Sequence, residues 1–148
     1  MKSLFFKNKN FTHKYFLLDA SQYILGHLAV KVCNILLGKN ITLYNSNIIP
    51  KNYVIIINSN LVKVSENKEY TKFYYYPTQR PGNLKKKNFN NLCQKFSYKI
   101  LESAILKMLP NNKLKKKYLQ NLYIYNTATQ ILFKKQNLNS LNIYKINN

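Results

Sequence analysis

The period of apolar and polar positions changes several times along the chain, and each change marks an element. Residues 15–18 form an apolar run that closes in Asp19 and Ser21, the pattern of a short strand ending in polar turn residues. Leu25, Leu28, Ala29, Val32, Ile35 and Leu36 then fall at helical spacing, with Lys31 and Asn34 between them. Gly38 stands where such a helix would end in the left-handed region. The apolar stripe of this helix needs a sheet to face. Residues 53–57 are continuously apolar and rich in β-branched side chains, which suits a central strand covered on both faces. Residues 61–64 alternate in part and read as an extension or a partner of that strand.

Residues 70–76 predict another strand, with Tyr74 and Tyr76 on one face, Phe73 and Tyr75 on the other, and Pro77 as its stop. A loop is expected over 78–87, through Arg80, Pro81 and Gly82. Ile100, Leu101, Ala104, Ile105 and Met108 mark a second amphipathic helix over 96–109, ended by Pro110. Residues 122–125 are a last short strand. Helices set between strands favour an α/β fold with a largely parallel sheet covered on two sides.

Composition then narrows the function. The 148 residues hold 24 Lys+Arg against 4 Asp+Glu, a formal charge of +20. A single domain of this length buries roughly 70% of the surface its unfolded chain exposes, enough for a core without disulfides or metal. So large a positive charge repels itself in isolation and points to a standing polyanionic partner, nucleic acid first and anionic membrane second. Part of the composition reflects coding bias. There are 23 Lys but one Arg (Arg80), 23 Asn, 14 Ile and 13 Tyr, against 3 Gly, 4 Pro and 4 Ala. The abundant types have A/T-rich codons, so lysines stand where arginines would otherwise be. Lysine keeps the charge but lacks the planar fork, which preserves phosphate contacts better than geometric base readout.

Catalytic chemistry has little to work with. Of the four carboxylates, Asp19, Glu66, Glu69 and Glu102, only Glu66 and Glu69 are close in sequence, and they read as solvated turn charges. Three glycines cannot build a glycine-rich phosphate loop. Cys33 and Cys93 share no metal-ligand spacing with His13 or His27 and are expected to be buried small hydrophobes. Neither enzyme activity, cofactor nor metal is expected. The first 14 residues lack a secretory apolar core, and the longest aliphatic stretch, residues 54–57, is far short of the roughly 20 residues that cross a bilayer.

The basic runs are the stronger signal: Lys85, Lys86 and Lys87; Lys113, Lys115, Lys116 and Lys117; and Lys134 with Lys135. With so little compensating acid, phosphate neutralisation explains them better than solvated faces, because each lysine set against a phosphate releases condensed counterions. Lys68 and Lys72 lie outside these runs and are expected to contribute little. Aromatic residues interleave with the cations over 70–80, where strand packing accounts for them as well as base stacking does.

The segments DASQYILGHLA (19–29), LLGKN with Tyr44, NYVIIIN (52–58), YYYPTQRPGNLK (74–85) and KMLPNNKLKKKYLQNLYIYN (107–126) stand in an order that resembles the bacterial-type large-subunit ribosomal protein L thirteen family. The resemblance spans residues 15 to about 125 and implies a three-layer α/β/α domain with a mostly parallel four-stranded sheet. It implies a body over 15–126, between a basic N-terminal extension (1–14) and a C-terminal extension (127–148). The implied role is structural and non-catalytic: binding large-subunit ribosomal RNA through its phosphates, beside neighbouring large-subunit proteins such as those numbered three and twenty, early in assembly. The RNA-facing residues it implies, taken with the basic runs, are His27, Lys31, Lys39, Thr78, Arg80, Lys85, Lys86, Lys87, Asn112, Lys113, Lys115, Lys116 and Lys117.

Departures from the family pattern shape further expectations. His27 replaces the family's usual Arg, which leaves a phosphate contact there to the imidazole or to Lys31. Gln79, Asn83, Lys107 and Lys115 replace glycines, so the turn after Leu114 is expected to be redrawn as a longer helix. A non-ribosomal RNA-binding or processing factor is the rival reading, and it would not cosediment stoichiometrically with large subunits. A peripheral membrane protein would need a free amphipathic helix, which sheet packing denies it. The coding bias and the short segment before residue 15 favour a ribosome inside a plastid, a mitochondrion or an A+T-rich bacterium.

Overall fold

A computed structural model describes residues 13–42, 44–46, 48–128 and 143–146. Most of both extensions, including Lys134 and Lys135, lies outside the described residues. The chain runs through strand β1 (Lys14–Asp19), helix α1 (Leu25–Leu37), strand β2 (Asn52–Ile57) and the one-turn helix α2 (Lys68–Thr71). Strands β3 (Phe73–Pro77) and β4 (Leu84–Asn88) follow, then helices α3 (Phe89–Met108) and α4 (Lys115–Gln120), and strands β5 (Leu122–Ile124) and β6 (Ile143–Lys145). The fold is mixed α/β.

β2 pairs in parallel with β1 from Asn52 opposite Lys14 to Ile57 opposite Asp19, and with β5 from Val54 to Ile56. It is the interior strand its sequence predicts: Val54, Ile55 and Ile56 are all buried. β6 lies parallel along the other side of β1, a pairing of three residues drawn from the C-terminal extension. Helix α1 buries the expected stripe, Leu28, Val32 and Leu36 among it. Gly38 ends the helix at φ 77°, its N–H bonded to Ile35 O and the Lys39 N–H to Asn34 O, both at 3.0 Å. Those two bonds satisfy carbonyls that the last turn leaves open.

Several expectations need correction. The strand expected over 70–76 does not join the sheet. Residues 68–71 make a helical turn, and Phe73–Pro77 pairs antiparallel with Leu84–Asn88 as a separate hairpin. Of the loop expected over 78–87, residues 84–87 are strand, and the turn is confined to 78–83. Every residue of β4 is exposed, so the hairpin lacks the two apolar faces that a sheet interior requires. Pro77 does end the strand: it is the last residue of β3 and sits opposite Leu84.

Residues 61–64 form no strand. Asn58 at φ 56° starts a 3-10 turn over Ser59–Leu61, and Lys63 makes a single parallel bridge to Ile24.

Finally, the helix expected over 96–109 is present beyond a kink at the non-helical Phe96 (φ −146°, ψ 56°), and α3 adds an unexpected helical segment before it, from Phe89. The buried Ser97 beyond the kink donates to Asn60 Oδ1 at 2.6 Å and lies 2.8 Å from Ser59 Oγ, tying the bend to the end of β2. Cys33 is buried as expected, whereas Cys93 is only half-buried.

Candidate nucleic-acid interface

The hairpin presents the first basic run on paired backbone. Lys85, Lys86 and Lys87 are all exposed, and aromatic rings of β3 support two of them: Lys86 Nζ lies 3.6 Å from the Phe73 ring centroid and Lys87 Nζ 5.6 Å from that of Tyr76. Ring faces attract cations and restrain the long side chains without neutralising them. Thr78 shapes the turn: its amide and its hydroxyl both donate to Asn83 O, at 3.1 and 2.9 Å. Arg80 is exposed near the tip, on an open depression of about 460 Å3 shared with Asn83 and Lys85.

The second run stands on and just before α4. Tyr118 is buried at 2% exposure and Leu114 packs against the same core, while Lys113, Lys116 and Lys117 are exposed. Lys115 is half-buried, and Asn112 is exposed, its carbonyl accepting the Lys115 amide at 3.1 Å. The non-glycine residues at positive φ, among those described, are Asn58 and Glu66. Gln79, Asn83, Lys107 and Lys115 thus avoid the left-handed region. The chain turns into α4 directly after Leu114, and that helix is six residues long.

The remaining sites separate. His27 is exposed in the first turn of α1. Lys31, one turn further along α1, is half-buried, and its Nζ donates to Tyr23 Oη at 2.7 Å. Lys39 is exposed just past Gly38, where its charge partly opposes the burial that pushes the Cys33 thiol up to about 11. His27 instead lines a cleft with Lys68, Lys72 and Lys107. Sequence reasoning missed that grouping; the signal available was the i, i+4 spacing of Lys68 and Lys72, which puts both on one side of a helical turn.

Of the carboxylates, Asp19 serves structure. Asp19 accepts from the Ser21 amide and hydroxyl, at 3.0 and 2.7 Å, and from Asn58 Nδ2, while Glu66 occupies a left-handed turn. Among the described residues no group of His, Cys, Asp and Glu is placed to hold a metal ion. No described helix is long and apolar enough to cross a membrane.

Known proteins resemble this chain over most of its length. The family described as Ribosomal protein L13 matches residues 13–130. Large ribosomal subunit protein uL13c of Guillardia theta is 38% identical over 112 residues, covering 76% of this chain and 78% of that protein. Large ribosomal subunit protein uL13 of Spiroplasma citri is 40% identical over 112 residues, covering 76% and 77%. Its counterpart in Maridesulfovibrio salexigens is 31% identical over 125 residues, covering 84% and 88%. With identity at this level across a match that takes in β1 through β5, the chain belongs to the ribosomal protein L13 family.

Proposed function

We propose that the chain is a structural constituent of the large ribosomal subunit, bound to large-subunit ribosomal RNA chiefly through phosphates and engaged early in assembly. The observation that carries this reading is that, in a member of this family, regular structure holds lysines outward: all of β4 is exposed, and Lys116 and Lys117 project from a helix anchored by Tyr118. A lysine on a fixed backbone loses less freedom on meeting a phosphate than one on a mobile segment, and each contact releases counterions. The work is positional, since surfaces on different elements bind separate RNA segments and fix their relative placement. It requires no catalytic group and no cofactor. In this reading the sheet is the four-stranded layer of a three-layer α/β/α domain, built on 15–126 and completed by β6. Neighbouring large-subunit proteins share the site, in a ribosome of an organelle or of an A+T-rich bacterium.

Incorporation into large subunits tests this reading. The triple variant Lys113→Glu, Lys116→Glu, Lys117→Glu is expected to abolish cosedimentation while leaving the melting temperature near wild type. Arg80→Ala removes one charge-assisted contact, about 1.5 kcal/mol or more, and should weaken incorporation roughly tenfold. Lys95→Glu, on an exposed position of α3, should change little. Equal loss in all three would show that charge acts diffusely and that the two segments are not contact sites.

A further inference from the structure

A cleft of about 590 Å3 opens between the start of α1, the segment around α2 and the C-terminal end of α3. That volume lies within the ~300–1,000 Å3 of small-ligand sites, enough for a nucleotide. Lys68 comes to it from the start of α2, Lys72 from the extended residue just after α2 and Lys107 from α3, with His27 on the α1 side. Their placement is held: Lys68 Nζ donates to Ser65 Oγ at 2.9 Å, and Lys72 Nζ lies 5.5 Å from the Tyr74 ring centroid. Among the described residues, no carboxylate lines the cleft. Burial, then the charges of Lys68 and Lys107, hold the Lys72 ammonium below its ordinary pKa. Like charges gathered in a partly desolvated depression raise the free energy of the folded chain until an anion relieves them.

The cleft also has apolar walls. Ile24 and Met108 line it and remain 40% and 44% exposed. A free phosphate would satisfy the lysines and leave these side chains wet. A duplex would do the same, because its stacked bases offer no free face to an apolar wall. A single strand offers both phosphates and a base that can be splayed out onto an apolar surface.

We infer that this cleft docks a single-stranded RNA segment, with its phosphates on Lys68, Lys72 and Lys107 and one base against Ile24 and Met108. The inference rests on the RNA-binding reading above and adds to it a third contact surface.

Lysine acylation of the full chain tests it, read residue by residue by mass spectrometry, free and bound to the large-subunit ribosomal RNA of the same genome. Bound RNA should slow acylation of Lys72 and Lys107 severalfold and leave Lys95 unchanged. The variant Lys72→Gln, Lys107→Gln should retain its fold by circular dichroism. Its dependence of log affinity on log salt should be shallower by about 1.4, the contribution of two single-strand phosphates. Met108→Gln should weaken binding with the salt slope unchanged. If the chain binds RNA while Lys72 and Lys107 react at their free rate, the site is wrong and the function stands. Failure to bind RNA at all would overturn both. Equal protection by inorganic phosphate or duplex RNA, with Met108→Gln silent, would make the cleft a plain anion site and overturn the single-strand assignment.

Discussion

Asp19 closes β1 by accepting three donors: the Ser21 amide, the Ser21 hydroxyl and Asn58 Nδ2 from beyond the end of β2. Burial alone would raise its pKa, but the Ser21 and Asn58 donors outweigh that and hold the carboxyl below its ordinary value. A carboxylate depressed in the folded state contributes stability above its unfolded pKa of about 3.9, and that contribution is lost as pH falls through the folded value. Asp19→Ala is therefore expected to cost about 1 kcal/mol near neutral pH, the scale of a lost cap, with the gap to wild type closing below about pH 4. Urea unfolding at neutral and acid pH measures it, and a gap that persists unchanged in acid would show that the charge is immaterial. Asp19 and Ser21 were readable as turn residues because their bond is local. Asn58 was not, since only the parallel register of β1 and β2 brings it there.

At the scale of elements, periodicity succeeded where burial is one-sided or complete, and failed where local chemistry decides. Helix α1 and strand β2 were legible because their apolar faces are uninterrupted. The hairpin was not. Its turn over 78–83 lacks the two-residue Asn-Gly or Asp-Gly signal, and β4, Leu-Lys-Lys-Lys-Asn, looks like a charged loop until the rings of β3 are placed beside it. The kink of α3 escaped for a related reason, because the hydroxyls and amide that fix it, on Ser59, Ser97 and Asn60, meet only in the fold. Gly38 gives the sharpest element-level prediction. A Cβ there would stand 2.9 Å from Pro50 Cγ, on a backbone already at φ 77°. Gly38→Ala combines the left-handed penalty of about 1–2 kcal/mol with that collision and should destabilise by more than about 1 kcal/mol in thermal or urea unfolding. A neutral substitution would mean that the end of α1 relaxes freely.

Among the described residues, two lysine runs, Lys85 to Lys87 and Lys115 to Lys117, are held on paired or helical backbone. The exposed runs on the hairpin and α4 were legible as runs of like letters. The cleft was not, because its lysines come from 68, 72 and 107 and acquire meaning only when α2 packs beside α3. Under the function proposed above, RNA binding by this chain is driven by phosphate contacts from these fixed lysines. The most direct test is the salt dependence of binding by the full chain to the large-subunit ribosomal RNA of the same genome. Log affinity should fall linearly with log salt, by about 0.7 to 0.9 for each phosphate contacted, with a total slope that requires several counterions. A flat dependence would contradict the claim, because affinity that ignores salt cannot come from lysine and phosphate.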